Sequence, residues 1–366
     1  MYNMNRERDY SLDIIRIFAT FTVISVHFFL NNGFYQEIID GPEYYLMCIM
    51  RNFFGICVPL FILLTGYLMG RKTLSRKYYS GITKTLVIYV FASIACIIYK
   101  NSAGQTAYDL KHAIFAIFDF TGATYSWYIE MYIGLFLLIP FLNLIFQNLD
   151  QKGRTILIIT LFFMTSIPTV INIYNFDTAG WWLNPACDKT YQKILPFWWG
   201  NFWPLTYYFI GSYLKEHPPK FNWKIAFPLL ILITAAAGSF AYYRSHGTAY
   251  VSGTWQGWNG LLNVILSCLV FFCLLQFKSV NRAPKAVKCL LKYLSDFTLG
   301  AYLVSCIFDL EFYKTLNEKV PDLPDKTKYY FVIVPLSFLC SMLLSALLNL
   351  IYYLIKHTVR KLKSHN

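Results

Sequence analysis

Charge is scarce in this sequence: only 14% of its 366 residues are Asp, Glu, Lys or Arg, while 57% are hydrophobic. Soluble domains carry about 25% charged residues, so a soluble enzyme or a solvated binding module does not fit. Acidic residues are scarcer still, 19 against 32 basic ones, which leaves a net charge of +13. A balance of that size can signal nucleic acid. Here the basic residues cluster in alternate loops between apolar runs, so membrane lipids are the expected surroundings and no nucleic-acid partner is expected. No internal repeat, low-complexity tract or long polar block is present, and one integral-membrane domain over 1–366 is expected. The six histidines are scattered, so no metal site is expected. The nine cysteines lie mostly within apolar runs, with Cys187 and Cys48 the only ones expected on an outer face, which excludes a disulfide framework. A small-residue cleavage site is missing after the first apolar run, Leu12 to Leu30, and that run is too long for a signal-peptide core; it reads as a retained span.

Long apolar runs are what the chain has in abundance. A helix needs roughly 20 apolar residues to cross the ~30 Å hydrocarbon core. Ten stretches qualify: 12–30, 46–69, 80–99, 127–147, 155–174, 200–214, 224–243, 257–277, 294–312 and 329–355. The predicted fold is all-α, a polytopic integral membrane protein of about ten transmembrane helices. Lys and Arg concentrate in the N-terminus, in the loops after the second, fourth, sixth and eighth spans, and in the tail, which places both termini in the cytoplasm. The longest outer segment, about 175 to 200, contains Trp181, Trp182, Trp198 and Trp199. Two readings suit them: an interfacial aromatic belt, or a platform on which sugar rings stack. Segment 108–120 reads as a short helix lying on the outer face.

The first span carries an unusual pair. In "RIFATFTVISVHFF", Arg16 and His27 lie eleven residues apart within apolar sequence. Eleven steps of about 100° end roughly 20° past three full turns, so the two share one helix face. They are separated by about 16 Å along the axis. Asp13, Thr20 and Asn31 fall on the same face. A polar stripe on a membrane helix faces a bundle interior or a water-filled cavity. The plainer alternative is that Arg16 snorkels to headgroups and His27 bonds a neighbouring carbonyl. Arg51, Glu130, Asp309 and Glu311 are expected at the depth of His27, and together they outline an outward-facing polar pocket.

This arrangement suits a particular chemistry. A neutral histidine is a good general base near pH 7, and a carboxylate on its other nitrogen would set the tautomer; Glu130 or Asp309 is placed to do so. Arginine at the cytoplasmic end suits phosphate, and Arg71, Arg76 and Lys77 in the following basic loop would enlarge that anion site. A thin donor with a phosphorylated head and a reactive far end fits, and acyl-CoA has that shape. It would be a donor substrate, with no cofactor bound permanently.

The same residues carry a resemblance. Arginine, ten residues, then histidine in "SLDIIRIFATFTVISVHFF" is similar to the first span of acyltransferase family 3, the integral-membrane acyl- and acetyltransferases of bacterial envelopes. "VPLFILLTGYL", "WYIEMYIGLFLLIP" and "TLGAYLVS" resemble three later family segments, in the same order. Departures are visible: the family's Ser-x-Glu after the tryptophan is here Glu130 and Tyr132, Ser305 stands where many members have histidine, and Arg71 and Arg76 are five apart. The resemblance implies O-acyl transfer, most often acetyl from acetyl-CoA, to a hydroxyl of a cell-surface polysaccharide or lipid-linked sugar. It implies that His27 is catalytic, that Arg16 serves donor use or site integrity, and that the protein is multi-pass in the bacterial plasma membrane. Arg51 or Asn31 would supply donors to the reacting oxygen, and Trp127, Trp181 and Trp182 are further candidates for acceptor binding. The alternative class is a transporter or flippase of a lipid-linked sugar or polysaccharide; inverted repeats and paired helix breaks would mark one, and neither is legible.

Overall fold

Fifteen helices follow one another along the computed structural model, which describes residues 8–177, 179–183, 194–218 and 222–364. The first, α1 (Tyr10–Asn31), starts where the Asp9 side chain accepts from Ser11 N. Then come α2 (Pro42–Phe54), α3 (Cys57–Met69), the single turn α4 (Arg76–Tyr79), α5 (Thr83–Ser102) and the short α6 (Leu110–Phe118). The middle holds α7 (Trp127–Asn148), α8 (Gln151–Ser166), α9 (Pro168–Ile171) and α10 (Trp203–Glu216). The last third holds α11 (Trp223–Ser245), α12 (Leu261–Leu275), α13 (Lys285–Lys319), α14 (Leu323–Thr327) and α15 (Tyr330–Ser364). Among the described residues there is no β-strand, only isolated bridges from Ile38 to Ala249 and from Ile39 to His246.

The protein is thus an all-α polytopic membrane protein. Nine helical segments among the described residues are long and apolar enough to cross a bilayer. The tenth expected span, 200–214, falls on α10, which has only 14 residues. A 3-10 turn over Phe197–Phe202 runs directly into it, and the joined run reaches about 33 Å at ~2.0 Å and ~1.5 Å rise per residue. The run expected as one span over 46–69 is one spanning segment, Pro42–Met69, interrupted by a two-residue turn: α2 ends at Phe54, α3 starts at Cys57, and Gly55 and Ile56 lie between. Cys187, placed on an outer face by the sequence, lies outside the described residues.

The central helix is α1, with α13, α3, α15, α12 and α2 packed around it. Burial on all sides explains why it has no broad lipid-facing side and can afford a polar stripe. Its end near His27 is held from four directions. Asn31 and Asn32 fold back to donate to the His27 and Phe28 carbonyls, each at 2.8 Å. From elsewhere, Asn317 donates to the Asn31 carbonyl at 2.9 Å and the Lys326 ammonium to the Asn32 carbonyl at 3.3 Å. A cation at a helix C-terminus also complements the helix dipole. The neighbouring α3 is fixed by close contact with α10: a Cβ at Gly66 would lie 2.0 Å from the Tyr208 carbonyl oxygen, and one at Gly211 would lie 2.1 Å from that of Leu63. Small residues let membrane helices approach to this distance.

Candidate active site

The stripe on α1 points inward. Asp13, Thr20 and His27 are buried. Thr20 donates to the Arg16 carbonyl at 3.0 Å, and Asn31 Nδ2 also reaches the Tyr125 hydroxyl at 3.4 Å.

At one end of the stripe His27 meets a buried carboxylate. Its Nδ1 lies 3.0 Å from Asp309 Oδ2 on α13. The two atoms lie at hydrogen-bond distance, but the line between them does not follow the ring N–H direction. Asp309 is held in place by two donors, the Tyr125 hydroxyl at 3.0 Å and Ser337 Oγ at 3.2 Å. The Tyr125 ring stacks on the imidazole, centroid to centroid 3.7 Å at 26°. With Nδ1 turned to Asp309, Nε2 is the nitrogen left for chemistry.

His27 lines a cavity of about 370 Å³ together with Arg51, Tyr125, Trp127, Gln256 and Trp258. Arg51 enters its wall from α2, donates to the Tyr35 hydroxyl at 3.1 Å, and lies over the Tyr35 and Tyr250 rings, 5.8 Å from each centroid. No carboxylate pairs with it among the described residues. Gly55 and Cys57, at the break between α2 and α3, line the same cavity, so the N-terminal end of α3 opens onto it.

Arg16 lines a second cavity, of about 220 Å³, with Thr65, Met69, Tyr128 and Tyr132. Its Nη1 reaches Ser295 Oγ at 3.3 Å and Asp13 Oδ1 at 3.4 Å. Asp13 is mainly engaged by Arg8, which donates to both carboxylate oxygens at 2.7 and 2.8 Å. The Arg16 side chain keeps 33% of its surface accessible, so its guanidinium is not consumed by these contacts. Val23, Val58 and Tyr302 belong to the walls of both cavities. They stand between the two chambers as a shared wall, and the Tyr302 hydroxyl donates to the Tyr125 carbonyl beside His27.

Of the candidates named from sequence, His27, Asp309, Arg51, Asn31 and Trp127 come together around or beside one chamber, and Arg16 lines the adjoining one. Glu130 does not join them: it is exposed on α7, while the preceding Tyr128 and Ile129 are buried. Arg71, Arg76 and Lys77 are exposed, and none lines the Arg16 cavity. Arg71 binds Glu216 at 3.1 Å, the carboxylate that also takes Arg154 at 2.5 Å. Trp181 packs on Tyr174 and Phe176, Trp182 is exposed, and neither lines the His27 chamber. Glu311 is exposed and receives the Tyr99 hydroxyl.

Tyr125 and Ser337 were missed. Tyr125 precedes α7 in a stretch with no period to read. Ser337 heads a row of Ser341, Ser345 and Asn349 at four-residue spacing on α15. That row is the signal that this helix turns a small polar face inward, and Ser345 meets α13 so closely that a Cβ at Gly300 would lie 2.3 Å from its Oγ.

A protein-family model described as an acyltransferase domain matches residues 9–354. No curated protein and no solved structure matches the chain.

Proposed function

The chain belongs to this family of membrane acyltransferases, acyltransferase family 3, and from that premise we propose that it is an O-acyltransferase of the bacterial plasma membrane. It moves an acyl group, most often acetyl, from cytoplasmic acyl-CoA to a hydroxyl of a cell-surface polysaccharide or lipid-linked sugar.

The observation that carries this reading is the pairing of two chambers along one helix, Arg16 in one and the His27–Asp309 pair in the other, with Val23, Val58 and Tyr302 in the walls of both as the proposed neck. The donor's phosphorylated head lies on the Arg16 side and its thin arm passes between Val23, Val58 and Tyr302. His27 Nε2 takes the proton of the acceptor hydroxyl as that oxygen attacks the thioester carbonyl. The C–S bond then breaks, the imidazolium returns the proton to the leaving thiolate, and the products are an ester and CoA. Asp309 stabilises the imidazolium, as a buried carboxylate does in other His-based acyl transfers. The carbonyl oxygen gains negative charge on the way and needs donors aimed at it. Arg51 meets that need, with the positive N-terminal end of α3 alongside it. Asn31, whose amide is engaged by the His27 carbonyl and Tyr125, orients rather than donates.

One observation favours a second reading. Helix breaks beside a cavity also occur in transporters, and the two-residue turn between α2 and α3 lies beside the His27 chamber. Transporters carry such breaks in matching pairs; this one has no counterpart at a corresponding place in the second half of the described residues.

Mass analysis of envelope glycans from cells with and without the protein separates the two. Acyl transfer predicts a mass increment on one glycan, that of the acyl group, which depends on the protein and follows label from acetyl-CoA. Movement of a glycan lipid across vesicles with no CoA present, and no mass increment, would overturn the acyl-transfer reading in favour of the flippase.

A further inference from the structure

The loop between α11 and α12 sets Gln256 in the wall of two cavities, one of them the His27 chamber, with an amide that no neighbour satisfies. Gln256 ends a 3-10 turn over Thr254–Gln256. Both of its amide atoms, Oε1 and Nε2, are buried and have no hydrogen-bond partner among the described residues. Unpaired buried amides are costly and rare in settled structures.

The backbone around this side chain is firmly tied. Gln256 N donates to the Gly253 carbonyl at 3.0 Å and Gly257 N to the Thr254 carbonyl at 3.1 Å. Asn259 Nδ2 donates to the Thr165 carbonyl on α8 at 2.8 Å, and Asn263 Nδ2 to the Gly257 carbonyl at 3.2 Å. The Tyr207 hydroxyl donates to the Trp258 carbonyl at 2.6 Å. A Cβ at Gly260 would lie 2.1 Å from the Trp255 carbonyl oxygen, so the turn admits only glycine there. The loop is pinned to three helices, α8, α10 and α12, while the Gln256 amide is left with a free donor pair and a free acceptor.

Gln256 lines the His27 chamber beside an aromatic wall in which Trp127 and Trp258 stack at 4.4 Å and 21°. On its other side it lines a cavity of about 230 Å³ that also takes in Asn52, Asn263 and Tyr174. A pocket of apolar walls with a few fixed polar groups orients its ligand through those groups. An amide offers a donor and an acceptor side by side, which matches two neighbouring hydroxyls on a ring. The flat C–H surface of such a ring suits an indole wall. A phosphate or carboxylate would want cations instead, and Arg51 is the only one in the lining.

Resting on the acyl-transfer reading above, we infer that Gln256 and Trp258 form the acceptor subsite: Gln256 binds two hydroxyls of a neutral sugar ring lying against Trp127 and Trp258, and so selects which hydroxyl is presented to His27.

The test uses the full-length protein in detergent with radiolabelled acetyl-CoA. The acceptor probe is the oligosaccharide pool released by mild acid from the envelope of the producing cells. Gln256→Ala is expected to raise the apparent KM for the pool about tenfold or more, with the KM for acetyl-CoA within twofold of the parent. Trp258→Ala should do the same and Trp258→Phe should largely restore it. A thermal melt checks folding, and where Gln256→Ala does not fold, Gln256→Glu, which keeps the size but loses the donor, is expected to give the same split. An unchanged acceptor KM in an active, folded Gln256 variant would overturn the inference while leaving acyl transfer intact. No labelling of the pool by the parent protein would instead overturn the acyl-transfer reading, and the subsite with it.

Discussion

Replacing His27 by alanine should lower acyl transfer by about 10³-fold or more, because it removes the group that accepts and returns the proton and a positioned base contributes roughly 10²–10⁴-fold. Folding should survive, since the ring faces a cavity on one side and stacks on Tyr125 on the other. Asp309→Asn should cost about 10²-fold or more. Asparagine keeps the shape, but its NH₂ puts a donor in place of one oxygen, either where Tyr125 and a protonated His27 need an acceptor or where Ser337 does, and it carries no charge to stabilise the imidazolium. Groups acting as a unit are not additive, so the double variant should be no slower than His27→Ala alone. Initial rates from the four proteins, with thermal melts beside them, form a double-mutant cycle. Additive losses would mean that Asp309 serves the fold and not the imidazole.

The second large effect concerns the neck. Val58 stands in the wall of both chambers with Val23 and Tyr302. Val58→Trp puts an indole into that constriction and should lower turnover by about 10²-fold or more, as small misplacements of reacting groups do. CoA should still bind, because the Arg16 guanidinium and its partners Asp13 and Ser295 are retained, although Val58 also borders their cavity. Calorimetry with CoA, next to initial rates with acetyl-CoA, separates these two outcomes. Retained turnover would mean that the donor reaches His27 by some other route. Val58→Ala is the control, which should retain most activity.

Why His27 and Arg16 were legible from the chain alone is a matter of cost. An arginine and a histidine in a membrane helix are expensive, and the 3.6-residue period places both on one face without any knowledge of neighbours. Asp309 was legible in depth, because span edges fix depth. Choosing between Asp309 and Glu130 was not, because that depends on how each helix is rotated. On α7 the register turns Tyr128 and Ile129 inward and leaves Glu130 outside; on α13 it buries Asp309.

Other features needed the fold itself. The turn at Gly55 and Ile56 has a local cause that composition alone passes over: Pro59, four residues after Gly55, has no N–H for the Gly55 carbonyl, which accepts from Asn263 Nδ2 instead. The expected anion site at Arg71 took no account of Glu216, 145 positions away in the chain, which Arg71 binds. Gln256 and Trp258 lie in a loop without periodicity, so nothing in the sequence aims them at His27. Trp181 and Trp182 were singled out for their composition, yet the indoles that line the chamber are Trp127 and Trp258. The glycine at position 66 belongs to the motif for a plain packing reason, the 2.0 Å that a Cβ there would leave to Tyr208.

The central claim is that a thioester held on the Arg16 side reacts on the His27 side, across the bilayer. The most direct measurement uses sealed vesicles of known orientation, with radiolabelled acetyl-CoA on the face bearing the N-terminus of α1 and the envelope oligosaccharide pool on the other. Label should appear on the oligosaccharide across the membrane, and Val58→Trp and His27→Ala should each abolish it. Labelling only when donor and acceptor share one face, or full labelling by the His27→Ala protein, would contradict the account.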